Sequence, residues 1–185
     1  MLLALVGVTG VGKSYYKELL VSELGFEKVN TIRTRKMRPG EANGKTGIFM
    51  NKEEIDLLEM EGKIAYRFEV FGGEYAYLTD EIFSEKNMVF EMHYTTIYDW
   101  KKIRKDIKTI YLLPENIEVA KEKTKERNLS KEKEEERIKE IDEHLNRYNT
   151  DEDLRNQFDY VFYNKYNKKS DEEFIELVKN ILKEE

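Results

Sequence analysis

The apolar run Leu2-Leu3-Ala4-Leu5-Val6 passes directly into Gly7-Val8-Thr9-Gly10-Val11-Gly12-Lys13-Ser14, the pattern G-x-x-x-x-G-K-S. No other stretch restricts the chain so tightly. The pattern has a physical meaning only where a buried strand enters a Gly-rich turn and a helix leaves it. Glycines let the backbone curl so that its N–H groups converge on polyphosphate oxygens. The helix expected from about residue 13 to residue 24 adds the positive end of its dipole. Lys13 can reach β- and γ-phosphates, and the Ser14 hydroxyl suits Mg²⁺. The motif therefore predicts nucleotide binding on an α/β scaffold, and it is silent on what receives a phosphate.

Punctuation along the rest of the chain extends that expectation. Gly25 is a natural stop for the first helix. Residues 31–79 are rich in glycine and charge, with β-like pieces at 47–50 and 64–71. Between these pieces, residues 52–61 read as helix with apolar Ile55, Leu57 and Leu58. Residues 87–92 read as a second buried strand that contains the acid Glu91, and residues 107–113 as a third, closed by Pro114. Helix-favouring sequence runs from 117 to about 147 with a break near Asn128-Leu129-Ser130. Residues 158–163 form the last expected strand, and Ser170 is expected to cap a final helix reaching about 182. Strands alternating with helices predict a central parallel sheet flanked by helices.

Bulk properties remove whole classes of function. A chain of 185 residues is sized for one domain. Its net charge of −6 argues against a broad nucleic-acid footprint. With no cysteine and two histidines, neither disulfides nor a structural zinc site is expected. The N-terminal apolar run is too short for a signal peptide, and no stretch approaches the ~20 apolar residues of a membrane span. A cytoplasmic protein acting on small molecules is the expectation, and no pattern speaks to its oligomeric state. The Lys- and Glu-dense residues 121–143 fit either a solvated helix laced with i,i+4 pairs or a mobile lid that carries cations.

Phosphoryl transfer needs two phosphates in line, Mg²⁺, and cations that neutralise the charge developing between them. A second phosphate site should show itself as arginines on a loop. Arg33-Thr34-Arg35-Lys36-Met37-Arg38-Pro39-Gly40-Glu41 offers three arginines within six residues, followed by a Pro-Gly turn. The planar fork of arginine grips a phosphate bidentately.

Taken together these motifs resemble the guanylate kinase family, nearly end to end. The run Thr31-Ile32-Arg33-Thr34-Arg35-Lys36-Met37-Arg38-Pro39-Gly40-Glu41-Ala42-Asn43-Gly44 is similar to that family's S-x-x-T-R-x-x-R-x-G-E-x-x-G signature. The resemblance implies that Arg35 and Arg38 hold the acceptor phosphate, with Thr31 where a serine usually helps. Phe49 fits an aromatic a few residues on. Val89-Phe90-Glu91 matches the family's strand ending in acid, which implies Glu91 near Mg²⁺ and its waters. Leu112-Leu113-Pro114 resembles the turn before the family's lid, and Arg127 and Arg137 lie where lid arginines approach the donor. Phe158-Asp159-Tyr160-Val161-Phe162-Tyr163-Asn164 resembles the closing strand, whose asparagine lies near the donor adenine. By this resemblance ATP is the donor, held by Gly7, Val8, Thr9, Gly10, Val11, Gly12, Lys13, Ser14 and Asn164. Lys13, Arg35, Arg127 and Arg137 are then the catalytic cations, and Ser14 and Glu91 serve Mg²⁺. The implied fold is a P-loop kinase: a core of residues 1–30, 83–116 and 148–185, a β-rich acceptor-binding insertion at 31–82, and a helical lid at about 117–147.

Departures from the family pattern cluster at the acceptor. A phosphate-binding tyrosine nine residues after the second arginine is Gly47 here. In Gly72-Gly73-Glu74-Tyr75-Ala76-Tyr77-Leu78-Thr79 an ungapped match sets Ala76 at a second such tyrosine, flanked by Tyr75 and Tyr77. The guanine-reading acid falls on Tyr66 or Arg67, with Glu69 nearby, and His93 replaces a further acid. Tyr15 replaces a common threonine. The acceptor set implied is Thr31, Arg35, Arg38, Tyr66, Glu69, Tyr75, Tyr77, Thr79 and His93. GMP is the expected acceptor. Another nucleoside monophosphate, a ribose phosphate, or a catalytically silent module that binds phosphopeptides are the alternatives.

Overall fold

The computed structural model describes residues 1–37, 40–70, 72–126 and 130–184. In chain order, β1 (Leu2–Gly7), α1 (Lys13–Leu24), β2 (Glu27–Lys28), β3 (Thr31–Arg33) and β4 (Ile48–Phe49) are followed by α2 (Lys52–Met60). Then come β5 (Ile64–Val70), β6 (Gly73–Leu78), α3 (Thr79–Ile82), β7 (Met88–Glu91), α4 (Ile97–Ile103) and β8 (Lys108–Pro114). The chain finishes with α5 (Ile117–Lys125), α6 (Lys131–Thr150), α7 (Glu152–Arg155), β9 (Tyr160–Asn164) and α8 (Lys168–Lys183). Among the described residues no helix is long and apolar enough to cross a membrane.

The central sheet has the order β2-β7-β1-β8-β9 and is parallel throughout. Its middle strand, β1, is buried along its whole length, which is why its sequence is a continuous apolar run rather than an alternation. Leu2, Ala4 and Val6 pack into one layer with Phe90, Trp100 and Tyr111. Leu3 and Leu5 pack into the other with Tyr16, Leu20, Phe162 and Phe174. Strand β1 lies where connections depart to either side of the sheet, so a crevice opens beyond its carboxyl end, where the Gly-rich loop sits.

A second sheet has the order β4-β3-β6-β5, with β6 antiparallel to both β3 and β5. Its two faces differ because successive side chains alternate. Ile32 and Ala76 pack against Ile55 of α2 on one face. Thr31 and Arg33 pair with Tyr77 and Tyr75, which pair in turn with Tyr66 and Phe68, and these share the other face. There Tyr77 meets Phe90 and Trp100, so this face turns toward the central sheet. Helix α2 starts at a capping box: Asn51 Oδ1 accepts from the Glu54 N–H at 2.8 Å and Glu54 accepts from the Asn51 N–H at 2.7 Å. Ile55 and Leu58 serve its buried side, while Leu57 is exposed.

Several boundaries differ from those read in the sequence. Ser170 does not cap the last helix. Asn167 does, its side chain accepting from the Ser170 N–H at 3.0 Å, while the Ser170 side chain is fully buried. The last strand starts at Tyr160, because Asp159 is drawn to β8 instead, accepting from the Thr109 N–H and hydroxyl at 2.8 and 2.7 Å. The stretch from 117 onward is two helices on either side of the expected break, and the second runs on to Thr150 rather than ending near 147. Strand β6 and helix α4 carry no pattern that announces them.

Candidate active site

Helix α1 begins at Lys13 behind Gly12, which has no side chain with which to cap it, so its first-turn N–H groups are left to an anion. Gly10 adopts φ +81°, and a Cβ there would lie 2.1 Å from the Ala120 carbonyl oxygen of α5. Only glycine lets the loop press so closely against that helix. Lys13 folds along the loop, its Nζ donating to the carbonyls of Gly7 at 2.7 Å and Val8 at 2.9 Å. Beneath the loop sits Asn164, 4% exposed. Its Nδ2 donates to the Val11 carbonyl at 2.9 Å, and its Oδ1 accepts from the Tyr16 hydroxyl at 2.8 Å and the Tyr166 N–H at 2.7 Å. Burial pushes the Tyr16 hydroxyl up to about 12, so it stays a donor. The resemblance implies Asn164 beside the donor adenine; in the structure its Nδ2 holds the loop from below while its Oδ1 ties in Tyr16 of α1 and the backbone of Tyr166.

Across the crevice, Glu91 ends β7. Its Oε1 accepts from the Ser14 hydroxyl at 2.9 Å and from Lys17 Nζ at 2.7 Å. Burial alone would push this carboxyl up, but the charges of Lys17 and Lys13 and the bonds from Lys17 and Ser14 outweigh it. They hold Glu91 below the ordinary carboxylate range, so it is ionised at neutral pH. A hydroxyl beside a carboxylate is the hard oxygen set that Mg²⁺ takes when waters and phosphate oxygens complete its shell. Among the described residues no cluster of three or more His, Cys, Asp or Glu could cage a metal. A cavity of about 220 Å³ opens here, lined by loop residues, Glu91 and, from α5, Lys123. Sequence reasoning missed both lysines. Lys17 lies one helical turn after Ser14 and was legible by that spacing, whereas nothing singles out Lys123 in its charged run.

Just past β3, Arg35 donates to Glu41 from both Nη atoms, at 2.7 and 2.6 Å, with its guanidinium 5.4 Å from the Phe49 ring centre. Arg35 and Tyr75 both flank Gly73, and Thr31 stands directly across from Tyr77 in the sheet. The Tyr77 hydroxyl, its pKa raised by burial, donates to the Glu91 carbonyl at 3.3 Å. Tyr66 donates to Asp99 at 3.0 Å and packs on Trp100. Thr79 turns its hydroxyl to the Gly62 carbonyl at 3.2 Å. Glu69 sits opposite Glu74, on the face that carries Arg67, so strand alternation turns it away from Tyr66 and Phe68. Arg67 itself is taken up by Asp56 at 2.6 Å, Glu59 at 2.7 Å and Glu74. Thr31, Arg35, Tyr75 and Tyr77 are thus brought together, and Glu69 is not. Arg38 and Arg127 lie outside the described residues.

His93 follows β7, with Nδ1 2.7 Å from the Thr95 hydroxyl. Burial, aided by the charges of Lys13 and Arg137, lowers its pKa to about 4, so it is neutral at pH 7. Arg137, on α6, pairs with Glu140 at 2.7 Å and is near enough to act on His93. His144, also on α6, stacks on Tyr94 with ring centres 3.7 Å apart, and its Nε2 is buried without a partner among the described residues. Burial first, then Lys13, His93 and Arg147, lowers its pKa to about 2.

Both histidines stay neutral when folded and gain a proton below 6.5 when unfolded, so stability falls as pH drops from 6.5. The His93 contribution levels off below about 4, and that of His144 continues. His144→Phe should raise stability by ~1 kcal/mol, because it removes an unpaired buried nitrogen and keeps the ring contact. It should also flatten the decline of the urea midpoint on acidification. A less stable variant with an unchanged slope would count against this account.

The guanylate kinase family model matches residues 1–185. A guanylate kinase of Wolbachia pipientis wMel is 28% identical over 181 residues, covering 94% of this chain and 86% of its own length. That of Wolbachia sp. subsp. Brugia malayi (strain TRS) is also 28% identical over 181 residues, covering 94% of this chain and 89% of its own. A solved guanylate kinase structure from Anaplasma phagocytophilum aligns with a TM-score of 0.71 at 19% identity, over 99% of this chain and 84% of that one. A shikimate kinase from Acinetobacter baumannii aligns at 0.51 and 16% identity, over 100% of this chain and 94% of that one. At such identities these structural likenesses speak to the fold: a parallel sheet flanked by helices with a phosphate loop.

Proposed function

The chain belongs to the guanylate kinase family, and we propose that it is an ATP-dependent nucleoside monophosphate kinase whose acceptor is GMP, giving GDP and ADP. The observation that carries this reading is the position of Glu91. Its carboxylate is bonded from the phosphate loop by Ser14 and its carbonyl from the second sheet by Tyr77, so the two halves of a two-substrate site converge on one residue.

In this reading residues 7–14 cradle the phosphates of ATP. Lys13 exchanges loop carbonyls for the group in transit, whose charge spreads over three oxygens. Arg35, with Arg38, anchors the acceptor phosphate, and Thr31, Tyr75 and Tyr77 line that end. Tyr66 and His93 border the rest of the acceptor. His93, being neutral, acts by hydrogen bonding, and an ionised monophosphate needs no general base. Ser14 would hold Mg²⁺, with Glu91 acting directly or through water, and the ion when bound would supply charge neutralisation to the donor phosphates. Residues 117–147 act as a lid that brings Arg127 and Arg137 over the donor. The partners are small nucleotides of the cytoplasm.

A coupled ADP-release assay across GMP, dGMP, AMP, CMP, UMP, dTMP and ribose phosphates tests this. GMP is expected to turn over fastest. Faster turnover with another acceptor would remove GMP from the proposal. No turnover with any of them at millimolar concentration would overturn the enzyme reading.

A further inference from the structure

We infer that Arg33 is a third cation of the acceptor-phosphate site, and that position 47 is glycine so as to admit it. This rests on the reading of Arg35 as the acceptor-phosphate anchor. Arg33 lies on the same face of β3 as Thr31, directly across from Tyr75. Its guanidinium stands 5.6 Å from the Phe49 ring centre, and that of Arg35 stands 5.4 Å from the same ring. Two guanidinium groups sharing one ring repel each other. Among the described residues, the carboxylate in reach of both is Glu41, which is bidentate to Arg35 and 3.9 Å from Arg33 Nη1. Two cations and one anion leave a positive charge unbalanced, and the Arg33 side chain is only 18% exposed to solvent that could screen it. A phosphate between the two forks would complete the site.

Gly47 supplies an independent observation. It adopts φ +148°, and a Cβ there would come 2.4 Å from Arg33 Nη1 and 3.0 Å from its Cζ. Arg33 Nη1 also donates to the Thr46 carbonyl at 2.8 Å, so the loop is folded around the guanidinium. Any larger residue at 47 would expel the arginine. The family pattern expects a tyrosine at this position; here a charged fork from a neighbouring strand takes the space, so the donor to the acceptor phosphate changes from neutral to cationic.

Two variants separate a phosphate ligand from a mere strut. Arg33→Gln removes the charge but keeps an N–H for the Thr46 carbonyl, and Arg33→Lys keeps the charge. Calorimetry with GMP and with guanosine, alongside steady-state kinetics, reads each. Arg33→Gln should weaken GMP binding roughly 10- to 100-fold. Guanosine affinity and the KM for ATP should stay within about twofold. Arg33→Lys should recover most of the GMP affinity. GMP affinity unchanged in Arg33→Gln, or GMP and guanosine weakened alike, would overturn the inference. Wild-type protein that binds no GMP would instead overturn the function proposed above and this inference with it.

Discussion

Lys13→Ala is expected to lower kcat by about 10²–10³-fold while the fold survives. The resting lysine donates to two neutral carbonyls, those of Gly7 and Val8, bonds that a more demanding partner can replace. A phosphoryl group in transit is that partner, because its charge is spread over oxygens with no bond left to balance it. An interaction that strengthens on the way to the transition state appears in kcat rather than in KM. Single-turnover kinetics with both substrates saturating is the measurement. A second readout guards against misfolding: Lys13 helps burial, the larger cause, to lower the pKa of His93, so its removal should move the His93 titration upward from about 4 yet leave it short of the 6.5 of an unfolded chain. A kcat within about tenfold of wild type would take Lys13 out of the reaction.

Arg35→Ala should raise the KM for the acceptor by roughly 100-fold and leave ATP binding nearly unchanged. Part of the effect is the loss of a bidentate, charge-assisted grip. The rest comes from Glu41, whose two oxygens now accept from Arg35 and would lose that bidentate partner, facing an incoming phosphate as a less compensated carboxylate. That repulsion can be separated experimentally. Adding Glu41→Gln to Arg35→Ala should restore part of the acceptor affinity, a coupling that two independent contacts would not show. Equal weakening of ATP and acceptor would mean that the acceptor lies elsewhere.

The donor half of this site was legible because its chemistry is written in consecutive residues. A middle strand buried on both faces must be apolar throughout, so Leu2 to Val6 announce themselves, and the loop and helix follow without a gap. The acceptor half depends on strand register, and counting residues cannot supply register. Tyr66 and Arg67 are neighbours in sequence yet lie on opposite faces of β5, and a bulge between Ile64 and Tyr66 shifts the count. The same alternation assigns Tyr75 and Tyr77 to the face that carries Arg33 and sets Ala76 against α2, which an ungapped comparison of motifs could not decide. Asn164 was singled out only by its place in the closing-strand motif, and its bonds to Val11, Tyr16 and Tyr166 join residues far apart in the chain. Arg33 stood in view in the arginine-rich run. Only the space left at Gly47 reveals where its guanidinium goes.

The contact between Gly10 and Ala120 limits how far this phosphate loop can be treated as a transferable part. A loop that meets only its own strand and helix could be grafted onto another sheet with those two elements alone. Here the backbone of residue 10 rests on a carbonyl of α5, more than a hundred residues away in sequence, with no room for a single methyl group. Any graft that omits α5 leaves the loop without its outer wall. A redesign that enlarges residue 10 must move a whole helix to make room, and with it Lys123, which lines the same cavity.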